Sequence, residues 1–224
     1  MKWNGIVEKG YLCISTTHHN HKIMKKKALS LLAFIPAFST VTAQHPAVPD
    51  VCALVNPIIG TNGMGHTFPG ACAPFGLVQL SPDTDTIPHN VDGVYQKNAY
   101  EYCAGYQHRD QTIVGFSHTH LSGTGHSDLG DILIMPATGE LKLNPGRADT
   151  PDEGYRSRFS HETEVARPGY YEVELTDYGI KAQLTATQRV GIHKYTFPDG
   201  ADGRIILDLV HGIYNYDGKT LWAN

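Results

Sequence analysis

The sequence contains no Cys-x-x-Cys pair; its four cysteines, Cys13, Cys52, Cys72 and Cys103, stand far apart. A zinc site built on paired thiolates therefore has no template here. Nor is there an apolar run of the roughly twenty residues a membrane-spanning helix needs. The candidate, from Ala28 to about Phe38, is short and broken by Pro36. Basic residues are also scarce: 18 Lys and Arg face 22 Asp and Glu, a formal charge of −4. The imbalance grows downstream. Residues 1–43 hold six of the bases and one of the acids, so 44–224 carries 12 against 21, a formal charge of −9. Phosphate backbones are held by basic faces, so nucleic acid is set aside as a partner. Finally, no amphipathic helical period appears after the leader.

What the leader does contain is an address. From Met24 it reads MKKKALSLLAFIPAFSTVTAQ: three lysines, an apolar stretch, then small residues Val41 and Ala43 before Gln44. That is the n-region, h-region and cleavage pattern of a secretory signal peptide over 24–43. Met24 can serve as its own start, so residues 1–23 read as an upstream start-site extension, and the His18, His19, His21 tract in them is given no weight. Gln44 at the cleavage site, without a lipobox cysteine, points to periplasm or secretion. Export permits a disulfide, but three cysteines follow the leader, so at least one stays unpaired.

Residues 44–54 form a Pro-containing linker, and 55–224 read as one domain, large enough to bury a core. Gly and Pro punctuate 55–83, which excludes a long helix there; Pro57–Ile59 and Leu77–Leu80 are strand-sized. IVGFSHT and DILIMPA read as strands between Gly-rich turns. Tyr171, Val173 and Leu175 alternate with Glu172 and Glu174, and Ile180, Ala182 and Leu184 with Lys181 and Gln183, the period of half-buried strands. Val190, Ile192 and Tyr195 carry a third strand, and GRIILDLVH a fourth. Short strands at close spacing predict an all-β fold, a β-sandwich or barrel. The chain stops just after a strand, as a C-terminally truncated sandwich would.

The chemistry concentrates in GFSHTHLSGTG, Gly115 to Gly125, followed by His126. An HxH pair on a strand puts both imidazoles on one side, and with Asp128 or His126 it would make a three-ligand zinc site. The nearest templates fail, however. HxHxDH finds Ser122 in place of Asp and Gly123 in place of His, and a cupin glutamate is missing before Glu140. A second reading makes the stretch a purely structural turn. A third is a sugar site: hydroxyls and neutral imidazoles donate and accept as sugar hydroxyls do, and glycines let backbone approach a ligand. Tyr95, Tyr100, Tyr102 and Tyr106, just upstream, offer stacking faces or sheet packing.

Two longer stretches, NPIIGTNGMGHTFPGACAPFGLVQLSPDT and YCAGYQHRDQTIVGFSHTHLSGTGHSDLGDILIMPATG, resemble the N-terminal domain of the glycoside hydrolase family 92 α-mannosidases. GHTFPGA, PFG, LSPDT, GFSHTHLSGTG and DLGDI in that order, across Asn56 to Gly139, are specific together and weak singly. The strands out to about Asp217 fit the same domain. The resemblance implies an exo-acting, calcium-dependent, inverting enzyme that trims α-linked mannose from glycans such as N-glycans. It implies a β-sandwich followed by an (α/α)₆ toroid. Inversion needs two carboxylates roughly 6.5–9.5 Å apart with a water between. The resemblance puts these, and the calcium, mainly in the C-terminal domain, so no catalytic residue and no metal ligand is carried onto this chain, which is expected to be inactive alone. Its partners would be mannose-containing glycans and the toroid of the same enzyme. The substrate-binding residues carried over are His66, Phe68, Tyr102, Cys103, His118, His120, Ser122 and Thr124. Asp128 and Asp131 are expected to hold the turn through backbone N–H groups. The alternatives are a zinc hydrolase using His118, His120 and Asp128, and a structural or assembly domain without a ligand.

Overall fold

The computed structural model describes residues 3–8, 11–16, 50–123 and 125–213. The signal-peptide reading over 24–43, and Thr124, lie outside the described residues.

Fifteen strands appear among the described residues. β1 (Trp3–Glu8) and β2 (Tyr11–Thr16) form a hairpin; β3 (Ala71–Cys72), β4 (Gln79–Asp83), β5 (Asn90–Val91), β6 (Val94–Tyr95), β7 (Thr112–Ile113) and β8 (Gly115–Ser117) follow. Then come β9 (Leu133–Thr138), β10 (Ser157–Arg158), β11 (Val165–Arg167), β12 (Tyr170–Leu175), β13 (Ile180–Ala186), β14 (Gly191–Thr196) and β15 (Gly203–Asp208). The helical segments among the described residues are short 3₁₀ turns at Val51–Leu54, Lys97–Tyr102 and Pro151–Glu153. Pro57–Ile59, read as strand-sized, lies in a turn.

Two sheets face each other. The larger runs β1-β2-β15-β9-β8-β4-β3, and the smaller is the antiparallel meander β11-β12-β13-β14. β7 pairs with β10 and β5 with β6 as short ribbons. The fold is therefore the expected β-sandwich. Its core draws on both layers: Leu80, Phe116, Leu133, Met135 and Ile206 from one, Tyr171, Val173, Leu175, Ile180, Ala182 and Leu184 from the other. β13 and β12 pack over β3 and β4. Each large apolar side chain removed from water contributes about 1.5–3 kcal/mol.

The meander shows why the alternation works. Tyr171 pairs with Leu184, Val173 with Ala182 and Leu175 with Ile180, all buried, while Glu172 pairs with Gln183 and Glu174 with Lys181 on the other face. A slip of one residue would expose every apolar side chain of the pair. β14 departs from its sequence pattern. Tyr195 and His193 lie partly buried, so by the period of two Ile192 points outward and is exposed. Val190 is also exposed.

Candidate functional site

β4 and β8 run side by side, with Ser81 opposite Ser117 and Asp83 opposite Gly115. β8 ends at Ser117, and the chain leaves the sheet in a loop whose two stems are tied together. His118 N–H donates to Asp131 O at 3.0 Å and Gly130 N–H to Thr119 O at 2.8 Å. Because the strand has ended, His118 and His120 do not share a face. This corrects the expectation of an HxH pair on one side of a strand.

His120 turns into the protein. Its Nδ1–H donates to Gln79 O at 2.7 Å, and its Nε2–H to Asp83 Oδ1 at 2.7 Å. Both ring nitrogens thus face oxygens. The other Asp83 oxygen, Oδ2, accepts from His211 Nε2 at 2.7 Å. Asp83 is fully buried, and His120 and His211 nearly so. Burial by itself would raise the Asp83 carboxyl. The charge of His120 and the hydrogen bonds from His120 and His211 outweigh it and hold the group well below the usual carboxylate range. His211 is aimed by Asp208 at the end of β15, whose Oδ1 accepts from the N–H groups of Val210 and His211 at 2.7 and 2.9 Å. Gly105 completes the pocket around Asp83. At φ +75° it lies in left-handed space, and a Cβ there would sit 2.1 Å from Asp83 Oδ1.

His118 turns the other way. Its Nδ1–H donates to Ile132 O at 2.7 Å, which leaves Nε2 as an acceptor. His193 Nε2–H donates to it at 3.1 Å, and Tyr195 O–H donates to His193 Nδ1 at 2.6 Å. Every proton in this relay is assigned with both rings neutral. Burial depresses both imidazoles: His118 is lowered, with His120 adding to the effect and the Ile132 hydrogen bond opposing it, and His193, with His118 adding to the effect, falls to about 3.

The remaining expected site residues divide between a corner and its supports. His66 has φ +51°, rests edge-on against Tyr100 with ring centroids 4.8 Å apart, and accepts on its carbonyl the N–H of Gly123 at 2.6 Å. Its Nε2 is buried and has no hydrogen-bond partner among the described residues. Phe68 lies against the His120 ring at 5.1 Å. Ser122 is exposed in the same loop as Gly123. His66, Phe68, His120 and Ser122 are thus gathered at one corner.

Tyr102 and Cys103 are buried and face inward. Tyr102 O–H donates to the Asp110 carboxylate at 3.0 and 3.1 Å, and Cys103 Sγ lies 3.4 Å from Ser127 Oγ. Burial pushes both groups up, for Tyr102 with the Asp110 charge adding to it. Cys52, Cys72 and Cys103 are all free thiols. Asp128 Oδ1 does accept a backbone N–H, from Leu129 at 2.8 Å, whereas Asp131 accepts the Thr119 hydroxyl at 3.2 Å.

Backbone strain marks the same region. Non-glycine residues with positive φ include His66, Phe75, Leu129 and Ile132. For β-branched Ile132 this is costly, of order 1–3 kcal/mol, and its carbonyl is the one that fixes His118.

Zinc at His118, His120 and Asp128 is not supported. Among the described residues, the group of three whose ligand atoms lie within 4.8 Å of one another is His108, His161 and Glu164. Calcium binding calls for six to eight oxygen ligands, and this set is mostly nitrogen. That set does not fit calcium.

Asp83, His193 and His211 were not singled out by sequence. Asp83 lay inside LSPDT, where a carboxylate in an apolar strand was a usable signal. His193 lies in β14 and His211 just past the end of β15, in stretches read only for their apolar pattern.

A β-sandwich with histidine-rich loops drawn to one end defines the class: a β-sandwich domain with a candidate ligand corner. Residues 54–223 match the glycosyl hydrolase family 92 N-terminal domain, and the chain belongs to that family. It is similar to a family GH92 α-mannosidase of Bacteroides thetaiotaomicron solved with mannoimidazole: 46% identical, TM-score 0.66, covering 74% of this chain and 20% of that one. It is also similar to a family GH92 inverting mannosidase of Bacteroides thetaiotaomicron VPI-5482, at 29% identity and TM-score 0.52, covering 67% of this chain and 18% of that one. A curated relative, an uncharacterized secreted glycosidase of Arthroderma benhamiae, is 30% identical over 178 residues, 75% of this chain and 20% of its own. The chain thus spans about a fifth of the length of these relatives. Among the described residues no helix is long and apolar enough to cross a membrane.

Proposed function

We propose that this domain forms one wall of a mannose-binding pocket in an exported, two-domain, exo-acting α-mannosidase that works by inversion on glycans such as N-glycans. The observation that carries the reading is His66. Its Nε2 is buried without a partner among the described residues, on a backbone held in left-handed space, beside a loop that exposes Ser122. A buried polar atom with nothing to bond is costly, and a sugar hydroxyl can satisfy it whichever tautomer the ring adopts. His120 supports Phe68 from below and is itself locked to Asp83.

The general acid, the general base and the calcium belong, in this reading, to the C-terminal (α/α)₆ domain. Apolar surface is available to meet it. Phe75, Leu77, Val190 and Ile192 are exposed, and Leu77 N–H bonded to Gln188 O at 2.7 Å brings their two loops together. Patches of this kind mark interaction faces. Export rests on the leader at 24–43 and on the name of the secreted relative.

The test is a titration of residues 44–224 with mannose and α-mannobiose, followed by backbone amide NMR. Shifts in His66, Phe68 and the 118–124 loop are expected, with no hydrolysis of an α-mannoside at the rate of whole enzymes. Saturating sugar that moves none of these amides leaves the ligand-free structural domain as the better reading. Hydrolysis at full rate by this segment alone would overturn the two-domain account.

A further inference from the structure

Away from the mannose corner, a second cluster gathers around Glu164. Ser160 to Glu164 make one tight turn, in which Thr163 N–H donates to Ser160 O and Glu164 N–H to His161 O. That turn places His161 and Glu164 three residues apart on one side, the spacing at which side chains meet. Glu164 Oε2 lies 2.7 Å from His161 Nδ1 and 4.0 Å from His108 Nδ1. The two imidazole rings lie side by side, tilted by 41°, with centroids 4.1 Å apart. His108 arrives from a distant loop, anchored by its own N–H to Thr61 O at 2.9 Å.

The carboxylate is already oriented. Tyr171 O–H donates to Oε1 at 2.6 Å, and Tyr106 O–H donates to Oε1 at 2.8 Å and to Oε2 at 3.0 Å. Both tyrosines are buried. Such outer hydrogen bonds are what orient a ligating carboxylate. Yet the cluster does not satisfy itself. With His161 Nδ1–H given to Glu164, the ring's Nε2 is a buried lone pair without a donor among the described residues.

We propose that His108, His161 and Glu164 bind a divalent transition-metal ion of the zinc type. Ligand atoms around tetrahedral zinc, at about 2.0–2.2 Å from the metal, lie about 3.4 Å from one another. Glu164 Oε2 lies 2.7 and 4.0 Å from the two imidazole nitrogens and all three ligand atoms lie within 4.8 Å of one another, so side-chain shifts of about 1 Å bring them to that spacing. Two imidazoles and one carboxylate select zinc, cobalt, nickel or copper over calcium and magnesium. The His108 side chain is 40% exposed, so the ion has an entry path and a water can take the fourth position. Coordination through His161 Nδ1 moves the ring proton from Nδ1 to Nε2, so the imidazole stays neutral, no proton is lost and no redox step is involved. The ion would clip the Tyr106–His108 loop to the turn before β11, a stabilising role independent of the sugar reading.

The test uses the whole chain, stripped with a chelator and titrated with Co²⁺ and Zn²⁺. Visible ligand-field absorption of Co²⁺, isothermal titration calorimetry and melting temperature are the readouts. The wild-type chain is expected to show a tetrahedral Co²⁺ spectrum displaced by Zn²⁺, and a melting temperature that rises with free metal. His108→Ala, His161→Ala and Glu164→Gln should each weaken binding more than about tenfold and abolish the metal-dependent rise. Binding at the His18, His19, His21 tract remains in every variant and so cancels. If Glu164→Gln does not fold, the half-exposed His108→Ala decides. A wild-type chain without a tetrahedral Co²⁺ spectrum, or with one unchanged in His108→Ala, overturns the proposal.

Discussion

Asp83 and His211 stand 128 residues apart in the chain and 2.7 Å apart in space. With His120 on the other carboxylate oxygen, the pair fastens the ends of β4 and β15 and the loop after β8. The candidate sugar corner is built on that fastening, because Phe68 rests on His120.

Asp83→Asn should therefore be strongly destabilising. It removes a buried charge that two ring N–H groups face and sets an amide N–H₂ against one of them. Breaking one side of a buried ion pair costs about 3–5 kcal/mol. Urea unfolding of the variant, set beside the wild type, measures the difference, and a loss below about 1 kcal/mol would contradict the role given to this residue.

Gly105→Ala tests the same pocket from the backbone side. The new Cβ would meet Asp83 Oδ1 at 2.1 Å and force alanine to φ +75°. We expect at least about 2 kcal/mol of destabilisation. A variant as stable as the wild type would mean that the approach of Gly105 to Asp83 is looser than described.

The histidine relay predicts an acid-side stability profile. His193 is neutral in the folded protein, with its pKa depressed to about 3 from an ordinary 6.5. The unfolded chain takes up the proton first, so stability is complete above about pH 6.5 and falls as the pH drops towards 3. Asp83 has the same sign: its lowered carboxyl contributes above the ordinary 3.8 and is lost further down. Denaturant midpoints across pH 3.5–7 should decline, and His193→Gln should flatten the decline between pH 4 and 6.5. An identical slope in the variant would remove His193 as its source.

His66→Ala should weaken α-mannobiose binding by about tenfold, the order of one or two hydrogen bonds, while the fold stays intact. Titration calorimetry on the isolated domain reads it, with Cys103→Ser as a comparison that should bind like the wild type, because Cys103 is buried against Ser127. Equal affinity in the His66 variant would take that ring out of the pocket.

Strand existence was legible because burial alternates with period two. The run from Tyr170 to Ala186 became β12, a turn and β13 where the pattern put them. The readings that failed did so for physical reasons. The HxH geometry assumed that the strand continues through His120, but tertiary hydrogen bonds from His118 N–H to Asp131 O and from Gly130 N–H to Thr119 O close a loop at once after Ser117. The pattern carries a strand through Ile192 and Tyr195, and both do lie in β14, but the inward phase of that strand is set by His193 and Tyr195, whose relay reaches His118.

By itself, then, the chain determined its layer architecture and its family, because apolar period and ordered motifs are local properties. It also named His66, Phe68, His120 and Ser122, which the fold does bring to one corner. Only the tertiary structure decided which imidazoles are free and which are engaged. That depends on Asp83, Gly105, Glu164 and His211, partners tens of residues away that pack against one another only when two sheets close over a common core.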